Sequence, residues 1–221
     1  MNIVFVLFDN VTQLDFTGPV QVLSRLPGAQ IHVVTKDGKA VTTDCGFSIL
    51  PRSGFASCPP ADILCVPGGH GVREAIADEA LVEFVRVHAR NAQYVTSVCT
   101  GAFILGAAGL LQDKQATCHW AYTQLLPLFG ATHRAARVVH DGNLITAGGV
   151  TSGIDFAFEL IAAIAGDAVA RSIQLALEYD PAPPFQSGSL ASASDEIVSG
   201  LRARVYEKAA ADMESAIRNI I

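Results

Sequence analysis

YVTSVCTGAFILGAAGLL, residues 94–111, is the stretch that decides the fold. Tyr94, Val95, Thr96 and Val98 are aromatic or β-branched and predict a buried strand. From Thr100 to Leu111 the composition turns small and apolar, predicting a helix whose Gly101, Ala102, Gly106, Ala107 and Ala108 let its backbone lie close against a sheet. Cys99 stands alone at the corner between them. A helix N-terminus favours negative charge, so a thiol pKa below the usual value of about 8.5 is expected there. The order of strand, nucleophile, glycine-containing turn and helix follows the mechanics of a nucleophile elbow, although the hydrolase form carries Gly on both sides of a Ser. Two readings stand side by side: a catalytic nucleophile, or a buried cysteine acting as a small hydrophobe.

The segments on either side extend the pattern. Ile3–Phe8, Gln30–Thr35, Asp62–Val66 and Gln93–Val98 are short and strongly apolar, as strands of a parallel sheet covered on both faces are. Helical spacing is expected over Gly18–Leu26, with Pro19 in a first turn, and over Val72–Arg90. This alternation predicts an α/β fold. Arg137–His140 and Asn143–Ala147 flank Asp141-Gly142 and predict an antiparallel hairpin. Thr151 to Asp155 opens a helix through Ala165, with Ser152 and Asp155 at capping-box spacing, and Gly166-Asp167 starts another to about Tyr179. One domain over 1–221 is expected, with 181–194 (PAPPFQSGSLASAS) a linker-like segment. A final amphipathic helix from Asp195 should bury Ile197, Leu201, Val205 and Ala209 against its own domain or a partner subunit.

Bulk properties exclude several classes. The formal net charge is −6 and lysines and arginines do not cluster, so no nucleic-acid partner is expected. The longest apolar runs fall well short of the roughly 20 residues that cross a bilayer, and MNIVFVLFDN has no basic start of a signal peptide. Five scattered cysteines, Cys45, Cys58, Cys65, Cys99 and Cys118, fit a reduced, cytoplasmic protein, with all but Cys99 read as packing residues. Their spacing suggests no metal site.

Candidate site residues follow the strand ends. Asp15 lies just beyond the first strand, either a helix-end carboxylate or a proton shuttle whose pKa burial and a nearby thiolate would raise. Pro67-Gly68-Gly69-His70-Gly71 can aim backbone N–H groups into the same crevice, or can simply be a tight turn. Gly69 and His70 are taken as substrate-binding candidates, with Gly148 and Val150 of the Gly148-Gly149-Val150-Thr151-Ser152 turn. His119 reads as a packing and capping residue before it reads as a base.

LFDNVTQLDFTGPVQVL, PGGHG, SVCTGAFILGAAGLL, ATCHWA, ITAGGVTSGIDFAFELI and IQLALEYDPAPPF together resemble the DJ-1/PfpI superfamily, in its isocyanide hydratase branch. The resemblance implies a flavodoxin-like sandwich, similar to class I glutamine amidotransferases, with a mostly parallel sheet, and a homodimer. It implies catalysis by Cys99 and Asp15, with Thr100 offering its hydroxyl and N–H to either. Most of the superfamily carries Glu where Asp15 stands, whereas isocyanide hydratases carry Asp. Its peptidase-like members place His after the nucleophile, where this chain has Thr100, so protease activity is not expected. The implied reaction is hydration of a small-molecule isocyanide to a formamide through a Cys99 thioimidate. It changes no net oxidation state, so no cofactor is expected. The same blocks occur in the ligand-sensing domains of AraC-type regulators, whose DNA-binding domain would need roughly a hundred residues beyond Ile221. A non-catalytic sensor and a glyoxalase- or deglycase-like enzyme are the alternatives.

Overall fold

The computed structural model describes all 221 residues. A seven-stranded sheet forms the middle layer: β1 (Asn2–Val6), β2 (Gln30–Thr35), β3 (Ser53–Gly54), β4 (Ile63–Val66), β5 (Tyr94–Val98), β6 (Val138–Asp141) and β7 (Leu144–Ala147). Their spatial order is β6-β7-β5-β4-β1-β2-β3, and every pairing is parallel except the β6–β7 hairpin. The inner five, β2-β1-β4-β5-β7, follow flavodoxin-like winding, in which ligands sit outside the carboxyl ends of the strands where the order reverses. β4 is buried throughout and β1 from Ile3 onward, which explains their unbroken apolar runs.

Helices α1 (Gln13–Leu23), α2 (Val72–Ala75), α3 (Glu79–Ala89), α4 (Gly101–Ala107), α5 (Ser152–Ala165) and α6 (Asp167–Ala176) connect or cover the sheet. The C-terminal segment contains α7 (Asp195–Leu201), a π-turn (Arg202–Tyr206) and α8 (Glu207–Arg218). One continuous cluster of 55 buried residues runs between the layers, and it includes Met213 and Ile217 of α8. No helix is long and apolar enough to cross a membrane.

Several boundaries differ from the sequence expectation. α1 begins at Gln13, so Pro19 lies inside it. A Cβ on Gly18 would stand 3.0 Å from Ile154 and one on Gly153 3.2 Å from Pro19 Cδ, so the two glycines let α1, proline ring included, pack closely on α5. The expected helix over 72–90 is two: Asp78 accepts from the Ala80 and Leu81 N–H groups and restarts it as α3. The hairpin forms with Gly142-Asn143 as its turn, one residue later than expected, and Gly142 at φ 66°. No capping box forms at α5: the Ser152 hydroxyl is buried without a partner, and Asp155 instead accepts from Arg137 and Tyr179. The expected stripe of the last helix fails too, since Ile197 and Val205 are exposed. The π-turn inserts an i→i+5 step, which rotates α8 so that Met213 and Ile217 face inward. Among the cysteines read as packing residues, Cys45 is exposed.

Candidate active site

Four strand ends converge. α1, after β1, presents Asp15; the loop after β4 presents Gly68 to His70; β5 ends at Cys99; and β7 leads into Gly148 to Val150. Cys99 is a non-glycine residue at φ 58°, a conformation strained for a side-chain-bearing residue and held by the surrounding structure. Its N–H donates to the Ala147 and Gly148 carbonyls at 3.1 and 2.8 Å. This strand-to-helix corner is the elbow expected from the sequence. Gly101 lets it form, because a Cβ there would lie 2.2 Å from the Val66 carbonyl oxygen.

Asp15 is 1% exposed. Its Oδ2 accepts from the Gly68 N–H at 2.9 Å, while Oδ1 is buried with no hydrogen-bond partner. Burial pushes its pKa from 3.8 to about 7, opposed by the Gly68 N–H, assisted by the charge of Asp44 and opposed again by the Cys99 side chain. The thiol differs from expectation. Burial and the charge of Asp15 raise the Cys99 pKa well above 9, outweighing the Thr100 and Val150 N–H groups, which favour the thiolate. The helix terminus therefore helps the thiolate form but does not make it the resting state.

Thr100 Oγ1 accepts from the Gly69 N–H at 3.1 Å. The loop amides that could have faced a ligand are therefore spent on Asp15 and Thr100. Gly148 sits behind the nucleophile, holding its N–H, whereas Val150, at φ 29°, turns its own N–H toward the sulfur. A cleft of about 240 Å³ opens at Thr100, the residue after the nucleophile, and is lined by Gly69, His70, Thr100 and Tyr122 together with Ala209 and Met213 of α8.

A family model for DJ-1/PfpI matches residues 1–163. The chain belongs to the DJ-1/PfpI family. Among its relatives, isonitrile hydratase of Pseudomonas putida is 52% identical over 204 residues, 92% of this chain and 90% of that protein. The HTH-type transcriptional regulator GbdR of Pseudomonas aeruginosa is 28% identical over 186 residues, and the chain spans 50% of its length. A crystal structure of a THiJ/PfpI family protein from Pseudomonas syringae superposes with a TM-score of 0.91 at 39% identity, covering 96% of this chain and 90% of that one.

Within this family framework His119 is a packing residue. Burial lowers its pKa to about 4, its Nδ1 accepts from the Ala121 N–H at 3.3 Å, and its ring lies 5.2 Å from that of Tyr206. A Cβ on Gly149 would come within 2.8 Å of His119, so the ring backs the turn that carries Val150. Sequence reasoning missed Tyr122 and Tyr206. Both phenol pKa values are raised, first by burial and then by the charge of Cys99, that of Tyr122 to about 12. Tyr206 stands on the π-turn, and the sequence carries no mark of that turn.

Proposed function

We propose that this protein is an isocyanide hydratase that converts R–N≡C and water to R–NH–CHO. The observation that carries this reading is the 52% identity to the Pseudomonas putida isonitrile hydratase over nearly the whole of both chains. The site supplies the parts such chemistry needs: a thiol at an elbow, a buried carboxyl group titrating near neutrality beside it, and a compact cleft.

Asp15 and Cys99 act as one coupled pair. With one proton removed the pair rests as the Asp15 carboxylate and the Cys99 thiol; passage of the thiol proton to Asp15 gives the reactive tautomer, whose thiolate is stabilised by the Thr100 and Val150 N–H groups. The sulfur adds to the terminal carbon as Asp15 delivers its proton to that carbon, giving R–N=CH–S–Cys99. The Asp15 carboxylate then takes a proton from water as the water oxygen adds to the same carbon, and passes that proton to the nitrogen, giving R–NH–CH(OH)–S–Cys99. Collapse breaks the C–S bond, releases the formamide and returns a proton to the sulfur. Thr100, tied to Gly69, keeps its N–H aimed at the sulfur. Gly69 and His70 contact the bound substrate, while Gly148 and Val150 position the nucleophile. Water addition requires no electron acceptor.

A homodimer belongs to this reading, supported by Leu175 and Phe185, which are large apolar side chains left exposed. So does a reducing cytoplasmic setting, supported by five unpaired cysteines.

Incubation of purified protein with para-nitrophenyl isocyanide should give many turnovers of the formamide, and a brief pulse should give a covalent adduct on Cys99 by mass spectrometry. Cys99→Ala should abolish both while leaving the fold intact. Formamide production by Cys99→Ala overturns the covalent route. Tight binding without turnover would instead mark a sensor, and rapid lactate formation from methylglyoxal a glyoxalase.

A further inference from the structure

The family model ends at residue 163, yet the cleft in front of Thr100 is closed by residues beyond it. Ala209, Asp212 and Met213 project from one face of α8 into the cleft, opposite Tyr122. Met213 is buried, and Ile217, one turn further, is fully buried, so this face is anchored in the core. Three further contacts hold its position. Asp212 lies 4.0 Å from Arg73 of α2, which ties the helix to the loop carrying Gly69 and His70. The π-turn brings Tyr206 edge-on to Tyr122, ring centres 5.9 Å apart at 84°, and edge-on to Trp120 at 5.1 Å and 74°.

We propose that α8 is the specificity wall of the proposed reaction, with Ala209 and Met213 setting how large an R group the isocyanide can carry. The inference rests on the hydratase reading. A cleft of about 240 Å³ lies below the roughly 300–1,000 Å³ typical of pockets for drug-sized ligands, so each side chain in the wall takes a substantial share of the space. Ala209 is the smallest of them. Its methyl group leaves open the volume that a larger residue would fill, whereas the flexible Met213 side chain forms an adaptable floor. Outside this apolar pair the mouth is lined by His70, Arg73 and Asp212, so the preferred substrate has a compact apolar group next to nitrogen and meets polar side chains beyond it.

The test is the ratio of kcat/KM for methyl isocyanide to that for para-nitrophenyl isocyanide, measured with purified full-length protein. Ala209→Phe should raise this ratio roughly tenfold or more, mainly through KM for the aryl substrate, the scale on which a hydrophobic pocket discriminates size. Met213→Ala should lower it. Ala209→Leu provides a smaller insertion should the Phe variant fail to fold, and circular dichroism checks each variant. A purely structural role for α8 predicts equal losses on both substrates and an unchanged ratio; that result, or no change in either rate, overturns the wall. Absence of formamide from the unmodified protein overturns the hydratase reading instead, so the two failures are distinguishable.

Discussion

The Gly68 N–H donates to Asp15 Oδ2 across 2.9 Å, which leaves Oδ1 as the oxygen without a partner. The next amide, Gly69, donates to Thr100 Oγ1 at 3.1 Å, so consecutive amides of one loop hold the proposed acid and the residue after the nucleophile. A carboxyl group fixed by one oxygen keeps the other free to pass a proton.

Gly68→Ala tests that loop. A Cβ there would lie 2.6 Å from the Thr100 nitrogen, 2.7 Å from its Oγ1 and 3.0 Å from Asp15 Oδ2, and the first of these is backbone that cannot rotate away. Displacement of the pair by a fraction of an ångström should lower kcat/KM about 10²-fold, with overpacking costing roughly 1–3 kcal/mol of stability. Kinetics and thermal melting on the same preparation check both numbers. Unimpaired turnover would show that the site tolerates a shifted loop.

The pH dependence of activity is set by the coupled pair. Below about pH 7 both Asp15 and Cys99 hold protons, so no thiolate is present. Raising the pH through about 7 creates the one-proton state, and kcat/KM should climb about tenfold per pH unit below the midpoint and level above it. Rates that fall across pH 6–8 would mean that the doubly protonated pair is the reactive form.

Much of this arrangement is legible in the sequence because it is local. The run from Tyr94 to Leu111 contains both the strand and the helix that fix Cys99 in its corner, and the Asp141-Gly142 signal places the β6–β7 hairpin to within one residue. Pro19 misleads because its preference for a first turn is a local rule, whereas the space its ring occupies inside α1, against Gly153 of a distant helix, exists only in the fold. The resting protonation of Cys99 escapes sequence reasoning for a similar reason. A helix N-terminus can be read from sequence, but burial and the facing Asp15 charge arise only on folding, and they are the larger effects. The cleft wall is illegible because a π-turn has no sequence signature, and it rotates the face that α8 presents.

Asp15→Asn separates proton transfer from simple packing. The amide keeps the shape but cannot deliver a proton, so turnover should fall by about 10²- to 10⁴-fold. A helix-end role alone predicts retained activity and a loss of about 1 kcal/mol. The variant also removes a negative charge that raises the thiol pKa, so alkylation of Cys99 by iodoacetamide should shift to lower pH. An unmoved alkylation profile would show that the two groups are not electrostatically coupled.

His119 and Asp15 should leave opposite signatures on stability as pH changes. The folded protein holds His119 neutral with a pKa of about 4 against 6.5, so its contribution is present above 6.5 and is lost as the pH falls through 4. Asp15 behaves in the reverse sense: its folded pKa of about 7 against 3.8 means that its contribution is complete below 3.8 and is lost as the pH rises through 7. That gap corresponds to a change of up to about 4 kcal/mol. His119→Phe, which keeps a ring against Tyr206 and Gly149, should therefore gain stability relative to the unmodified protein on acidification from pH 6.5 to 4. Asp15→Asn should gain on alkalinisation from pH 4 to 8. Urea unfolding of both variants at matched pH values reads the two slopes, and kcat/KM of His119→Phe should stay within about threefold because no proton passes through that ring. A large loss of turnover in His119→Phe with unaltered stability would make the histidine a participant in the chemistry, and parallel pH slopes in the two variants would mean that neither group titrates as its surroundings dictate.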